Sequence, residues 1–122
     1  ALTLVACSDD GETARALCRE HLAYYIGGMG TFYHELMHGY GYGEVADHIQ
    51  SAWLRGDRQA AADAIPRAVL DDLVVAGNSA ECRTAIEARR AAGFTHLVAF
   101  PPHSISPELF ATTMEAVARA AA

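Results

Sequence analysis

The stretch that decides the fold is LVVAGNSAECRTAIEARRAAGFTHLVAF, residues 73–100. Its first four residues are apolar and rich in valine, which predicts a short buried strand over residues 73–76. Helical spacing of Cys82, Ala85 and Ile86 then predicts a helix over 80–92, and a second apolar run predicts a strand over 95–100. Two strands joined through a helix indicate parallel pairing with a right-handed crossover.

Local end signals support these boundaries. Asn78 and Glu81 have the spacing of a capping box, and Gly93 is a suitable residue after the end of a helix. The pair Pro101-Pro102 ends the second strand, because proline cannot donate to a ladder. Ser106 as a cap and Pro107 in the first turn predict a last helix. The residues expected on the buried face of that helix are Phe110, Met114 and Val117.

Upstream, the chain predicts one further strand and a long helical excursion. Residues 2–7 form a mostly apolar run with β-branched members, and a helix is expected over 10–26 with Asp9 as its cap and Arg15 facing water. Glycines and Asp57 divide the following residues into shorter helices over 31–38, 44–55, 58–64 and 66–72. Three parallel strands leave two sheet edges open, so the pattern resembles part of a larger α/β fold.

Composition restricts the classes of function. The chain has 122 residues, of which 52% are hydrophobic, so one globular domain is expected. Its net charge is −6 and it contains no lysine, which excludes a basic nucleic-acid footprint, and no apolar run is long enough to span a membrane. The three cysteines, without any CxxC pair, indicate small apolar side chains in a reducing cytoplasm. The absence of an initial methionine suggests a fragment or a processed chain.

The sequence His34-Glu35-Leu36-Met37-His38 matches the pattern H-E-x-x-H. On a helix, the two histidines share a face and can bind zinc, with the glutamate as general base. Glu44 lies where some zinc peptidases place a third ligand, although that ligand is normally histidine. Chance alone places such a motif in roughly 2% of shuffled sequences of this composition. A small zinc peptidase using His34, His38 and Glu44 is one alternative, and a surface or interface pair of histidines without a metal is the other.

Two weaker signals concern the carboxyl ends of the strands. Gly77-Asn78-Ser79 lies between a strand and a helix, where free backbone amides and the helix dipole favour a phosphate or carboxylate. Residues 7–9 and 101–103 are expected on the same rim of the sheet, where α/β folds bind ligands. His103 is a candidate to hydrogen-bond a ligand there, and a plain loop is the alternative at both places.

A third class of function is a noncatalytic module for assembly. Five tyrosines lie in a glycine-rich stretch together with Phe32, and large amphipathic rings suit an interface as well as a core. The tyrosines are Tyr24, Tyr25, Tyr33, Tyr40 and Tyr42.

Several runs of the sequence are distinctive: YYIGGMGTFY (24–33), GYGEVA (41–46), WLRGD (53–57), AAA (60–62), Pro66 and VAGNSAEC (75–82). Together they resemble one known family, the luciferase-like flavin- or coenzyme F420-dependent oxidoreductases, over their C-terminal third. The likeness is strongest to the actinobacterial F420-dependent group related to methylene-tetrahydromethanopterin reductase. It extends over nearly the whole chain, through Ala92-Gly93-Phe94-Thr95-His96-Leu97 near its end.

The resemblance implies a fold and a chemistry. Residues 1–122 are expected to be a single C-terminal segment of a (β/α)8 TIM barrel, supplying its last strands and helices plus a helical excursion. The implied activity is hydride transfer between a small-molecule substrate and F420 or FMN, or monooxygenation. No metal is implied at His34 to His38, and no catalytic residue carries over. By position, the resemblance implies that Gly77, Asn78 and Ser79 face the cofactor and His103 the substrate.

The resemblance also implies partners. The open sheet edges are expected to pair with the remaining barrel segment or with another copy of the chain in a homo-oligomer. Neither nucleic acid nor a membrane is expected as a partner, and the expected location is the cytoplasm.

Overall fold

The computed structural model describes residues 2–122, which form a mixed α/β structure. Its strands are β1 (Leu2–Cys7), β2 (Val75–Gly77) and β3 (Val98–Phe100). The helices are α1 (Gly11–Ala23), α2 (Phe32–Gly39), α3 (Gly43–Leu54), α4 (Arg58–Asp63), α5 (Arg67–Leu73), α6 (Ser79–Ala91) and α7 (Pro107–Ala121), with a π-helical turn over Tyr24–Gly28.

The three strands form one parallel sheet in the order β2-β1-β3, so the predicted parallel pairing is confirmed. In this order the first strand is central, whereas consecutive strands of a barrel would place the second one there. β2 begins two residues later than predicted because α5 continues to Leu73, and β3 is limited to its last three predicted residues. In register, Val5 pairs with Val75 on one side of β1, and Leu4 pairs with Phe100 on the other.

The chain divides into two compact units. One contains the residues up to Cys18 together with Leu70–Ala122, and the other is Arg19–Val69. The first unit buries one face of the sheet against α6 and α7, since alternate residues of a strand point to the same side. Its core consists of Val5, Cys7, Val75, Cys82, Ile86, Ala116 and Ala120.

The buried face of α7 differs from the prediction. Thr113, Ala116 and Ala120 are buried, whereas Phe110 is 44% exposed. The hydroxyl of Thr113 accepts a hydrogen bond from the Cys7 amide at 2.9 Å and lies 3.4 Å from the Cys7 carbonyl. Small side chains let the helix approach β1 closely enough for these contacts. Of the predicted residues, Val117 packs partly buried against the core as expected, so the prediction fails at Phe110 rather than along the whole face.

The second unit packs α3 against α2, α4 and the π-helical turn. A Cβ atom on Gly27 would lie 2.8 Å from Trp53 Cβ, and one on Gly28 would lie 2.8 Å from the indole ring. The two glycines therefore let the tryptophan rest directly on the backbone. The helix predicted over 10–26 is confirmed over Gly11–Ala23, and its last predicted residues belong to this wider turn instead.

Most predicted helix caps are confirmed. Asp57 accepts from the Ala60 amide, Ser106 accepts from the Leu109 amide, and Asn78 forms the complete capping box of α6. Asp9 is not the cap of α1. Its neighbour Asp10 accepts from the Glu12 amide at 3.1 Å, because the helix begins one residue later than predicted.

Candidate functional site

The turn from β2 into α6 holds the three residues predicted to face a cofactor. Gly77 ends β2, and the Asn78 side chain accepts from the Glu81 amide at 2.9 Å. In return, the Asn78 amide donates to Glu81 Oε2 at 2.8 Å. Gly77 has a φ of +154°, and a Cβ there would collide with the Glu81 carboxylate. The turn therefore requires glycine, and one of its own carboxylates lies where an external anion was expected.

Arg15 links this turn to α1. Its guanidinium lies 2.7 Å from Glu12 Oε1 and 3.0 Å from Glu81 Oε2, and its side chain is only 8% exposed. The prediction that Arg15 faces water is wrong, because the charged head is paired twice while its stem is buried. Two carboxylates around one guanidinium leave this cluster with a net negative charge, which disfavours a further anion.

The predicted rim does not bring His103 beside that turn. β1 and β2 end together, with Cys7 opposite Gly77, and the Ser8 amide donates to the Gly77 carbonyl at 3.1 Å. The ladder with β3 ends earlier on β1, at Leu4 and Phe100, before the two prolines. His103 then lies in an exposed turn. The structure places β1 between the turn at Gly77–Ser79 and the strand that leads to His103.

A second cluster joins α2 to α3. His34 and His38 lie one helical turn apart, and their Nε2 atoms are 2.8 and 3.0 Å from the same oxygen, Asp47 Oδ1. Hydrogen bonds from His38 and His34 hold the pKa of the Asp47 carboxyl below its ordinary value. Of the three side chains, His34 is 16% exposed, His38 46% and Asp47 59%. These side chains form the one group of potential metal ligands found within residues 2–122.

The third member of that cluster corrects a prediction. The zinc-peptidase alternative named Glu44 as the third ligand beside His34 and His38, but Glu44 is exposed in the first turn of α3 and does not belong to the group. Asp47 lies three residues later and takes that place. The signal that could have identified it was the helical periodicity of α3, which continues the packed face through Ala46 and Ile49.

The tyrosines divide between internal packing and the surface. Tyr25 stacks on His21 with ring centroids 4.7 Å apart, and Tyr33 contacts Tyr25 edge-on at 5.1 Å. Phe32 and Tyr40 are 66% and 58% exposed. Part of the tyrosine-rich stretch therefore stabilises the second unit, and part of it faces outward.

The cysteines are three buried free thiols, Cys7, Cys18 and Cys82, as small apolar residues would be. Burial raises the pKa of Cys18 and of Cys82 to about 12. Thiols with such values are not nucleophiles at neutral pH, so these two side chains act as packing groups rather than as catalytic ones.

A small parallel sheet whose strands are connected through helices defines an α/β protein. Comparison with known proteins makes the class specific. Residues 1–96 match the family model of the luciferase-like monooxygenases, and the chain belongs to that family.

One curated relative is the Mycobacterium tuberculosis (strain ATCC 25618 / H37Rv) protein named "Putative coenzyme F420-dependent oxidoreductase Rv3520c". It is 33% identical over 98 residues, a match that covers 77% of this chain and 28% of the relative. The chain thus spans just over a quarter of that protein's length. The family resemblance predicted from the sequence is confirmed.

Two further findings complete the comparison. No solved structure matches this chain. Among the helices of residues 2–122, none combines the length and the apolar character that crossing a membrane requires.

Proposed function

We propose that this chain is the C-terminal portion of an oxidoreductase that transfers hydride between a small-molecule substrate and coenzyme F420 or FMN. The observation that carries the proposal is the 33% identity over 98 residues to a relative whose name gives it as an F420-dependent oxidoreductase. The family match over residues 1–96 supports the same class of chemistry. The proposed location is the cytoplasm.

The proposed setting is a complete (β/α)8 barrel. Two features of the described residues support it: the strands are parallel, and both outer strands of the sheet have only three residues. In a closed barrel each strand pairs with the next along the chain. In the barrel, β3 would therefore pair with the free edge of β2 instead of with β1. A strand that precedes β1 in the longer chain would pair with the edge of β1 that β3 leaves.

A crosslinking experiment tests this exchange of strands. Leu2 and Val98 are register partners with exposures of 73% and 58%, so the double variant Leu2→Cys/Val98→Cys presents two neighbouring reactive thiols. A short bifunctional thiol reagent should join them in the 122-residue chain and fail to join them in a chain extended through the preceding barrel strands. Equal crosslinking in both chains would contradict the barrel arrangement.

The residues proposed to contact the cofactor are Gly77, Asn78 and Ser79, with His103 proposed for the substrate. Both cofactors carry phosphate, and the turn does not fit that group, because the Asn78 amide is bonded to Glu81 and the Arg15 cluster is net negative. Ser79 is exposed and is the member of the turn whose hydroxyl can contact another part of the cofactor. When bound, the cofactor supplies the hydride acceptor or donor, and the protein orients it and excludes water.

Cofactor titration tests the proposed function directly. The extended chain is titrated with F420 and, separately, with FMN, while the cofactor's fluorescence is followed. Saturable binding of one cofactor, weakened in Ser79→Ala and unchanged in the neighbouring Thr84→Ala, is the expected result. Failure of the extended chain to bind either cofactor would overturn the assignment and favour an assembly module.

The proposed partners of this segment are the rest of the barrel and a second copy of the whole protein. Exposed apolar side chains in the first unit support a further contact: Leu2, Phe94, Val98 and Phe110. Sedimentation of the extended chain should give a homo-oligomer, whereas a monomer at micromolar concentration would contradict that part of the proposal.

A further inference from the structure

We propose that His34, His38 and Asp47 bind a single divalent transition-metal ion, with zinc as the best match, and that this ion joins α2 to α3. Their three potential ligand atoms all lie within 4.8 Å of one another. Imidazole nitrogen and carboxylate oxygen are ligands that zinc prefers in proteins. The inference is independent of the proposed oxidoreductase function, because it concerns the helices of the second unit alone.

The three ligand atoms are close enough to reach one metal ion after adjustment of their side chains. Zinc binds nitrogen and oxygen at about 2.0–2.2 Å, so two ligands at adjacent corners of a tetrahedron are roughly 3.3 Å apart. The present separations from Asp47 Oδ1 are 2.8 Å to His34 Nε2 and 3.0 Å to His38 Nε2. The carboxylate therefore has to withdraw by about half an ångström, and the two imidazoles, whose ligand atoms lie within 4.8 Å of one another, have to turn toward each other for one ion to reach all three.

The chain positions these side chains by two separate elements. The histidines are four residues apart on α2 and therefore lie on one face, with ring centroids 4.8 Å apart. A tight turn reverses the chain between α2 and α3, with Gly41 at a φ of +88°, a value that favours glycine. α3 then packs along α2 and presents Asp47 from its second turn.

Gly43 is the second observation that points to a built site. A Cβ atom at this position would collide with His38 Nδ1 and lie 2.7 Å from Cε1 of the same ring. The missing side chain leaves a cradle for the imidazole and directs its Nε2 atom toward Asp47. A Cβ atom on nearby Gly39 would meet nothing within 4 Å, so the cradle is particular to Gly43.

The protonation of the rings is compatible with a metal. The Nε2 atoms that face Asp47 Oδ1 are the ones that would bind the ion. Metal binding requires the neutral tautomer with its proton on Nδ1, which leaves the Nε2 lone pair for the metal. Three protein ligands leave a fourth position for water, and the exposure of His38 and Asp47 leaves that position accessible.

Titration with Zn²⁺ against a competing colorimetric chelator tests the site in the 122-residue chain. We expect one ion per chain and a rise in Tm on the order of 5 °C at saturating zinc. Loss of a ligand in His38→Ala or in Asp47→Asn should weaken binding by more than roughly 100-fold. Asp47→Asn keeps the size of the side chain and an accepting oxygen, so far-UV circular dichroism should show the native fold.

Two matched controls separate this site from general surface binding. His48→Ala removes an exposed histidine beside Asp47 and should leave zinc affinity unchanged. Gly43→Ala should weaken binding at least about tenfold by displacing the His38 ring, whereas Gly39→Ala should not. A stoichiometry other than one, or equal affinity in the wild-type, His38→Ala and Asp47→Asn proteins, would overturn the proposal.

Discussion

Replacing Thr113 by valine tests how α7 is attached to the sheet. Thr113 is fully buried, and its hydroxyl accepts from the Cys7 amide at 2.9 Å. Valine has the same shape but leaves that buried amide without its partner, which costs about 1–3 kcal/mol, and we expect about 2 kcal/mol. The unfolding entropy of a chain of this length is roughly 0.26 kcal/mol/K, so Tm should fall by about 8 °C.

The assay is urea unfolding followed by far-UV circular dichroism, together with a thermal scan. Thr112→Val is the matched control, because the Thr112 hydroxyl only donates to the Glu108 carbonyl within the exposed part of the same helix. Its effect should stay within about 0.5 kcal/mol. Thr113→Ser retains the hydroxyl and should recover part of the loss. If Thr113→Val and Thr112→Val have equal stability, the hydroxyl does not hold the end of β1.

Three further predictions concern the first unit. Gly77→Ala should lower the free energy of unfolding by more than about 2 kcal/mol in urea, because its φ of +154° and the neighbouring carboxylate both exclude a side chain; an unchanged midpoint would contradict this. Arg15→Met should lower the free energy of unfolding by about 1 kcal/mol. Arg119→Met removes an exposed ion pair and should lower it by less than about 0.5 kcal/mol, so equal losses in the two variants would contradict the prediction. Since the pKa values of Cys18 and Cys82 are raised to about 12, iodoacetamide at pH 8 should alkylate them at least roughly 100-fold more slowly than in urea, as measured by mass spectrometry.

The sequence predicted the local parts of this fold well, because their signals lie within a few residues. The capping box of Asn78 and the cap at Ser106 depend on contacts three residues along the chain, and both are confirmed. The parallel sheet followed from the alternation of strands and helices. Errors of one or two residues arose where two signals compete, as at Asp9 and Asp10, which are equally good caps in composition.

Interactions between distant residues could not be predicted in the same way. Arg15 forms an ion pair with Glu81, which lies 66 residues later in the sequence, and no local pattern around Arg15 predicts that partner. The buried face of α7 is determined by the fit of Thr113 to β1, which outweighs the greater apolar area of Phe110. Hydrophobic rank alone therefore identified Val117, which packs against the core, and misplaced Phe110.

The histidine cluster shows the same division between local and tertiary information. The pairing of His34 with His38 is a property of one helix and was predicted from their spacing. Which carboxylate completes the cluster depends on how α3 packs against α2 after the turn. This packing brings Asp47, and not Glu44, next to the two histidines. A motif learned from one fold thus identified two members of the cluster correctly and misplaced the third.

The order of the strands in the sheet bears directly on the proposed barrel. β1 contributes six residues and is buried over Leu4–Cys7, whereas β2 and β3 contribute three residues each. The longest strand, β1, lies at the centre of the sheet because it can then pair with a neighbouring strand along each of its edges.

In a closed barrel each edge of β1 would pair with an adjacent strand of the barrel, and β3 would no longer pair with β1. The ladder between β1 and β3 contains three residue pairs, so its replacement by a longer neighbouring strand would increase the number of backbone hydrogen bonds. Family membership and the observed strand order are therefore compatible if β3 changes its partner when the preceding strands are present.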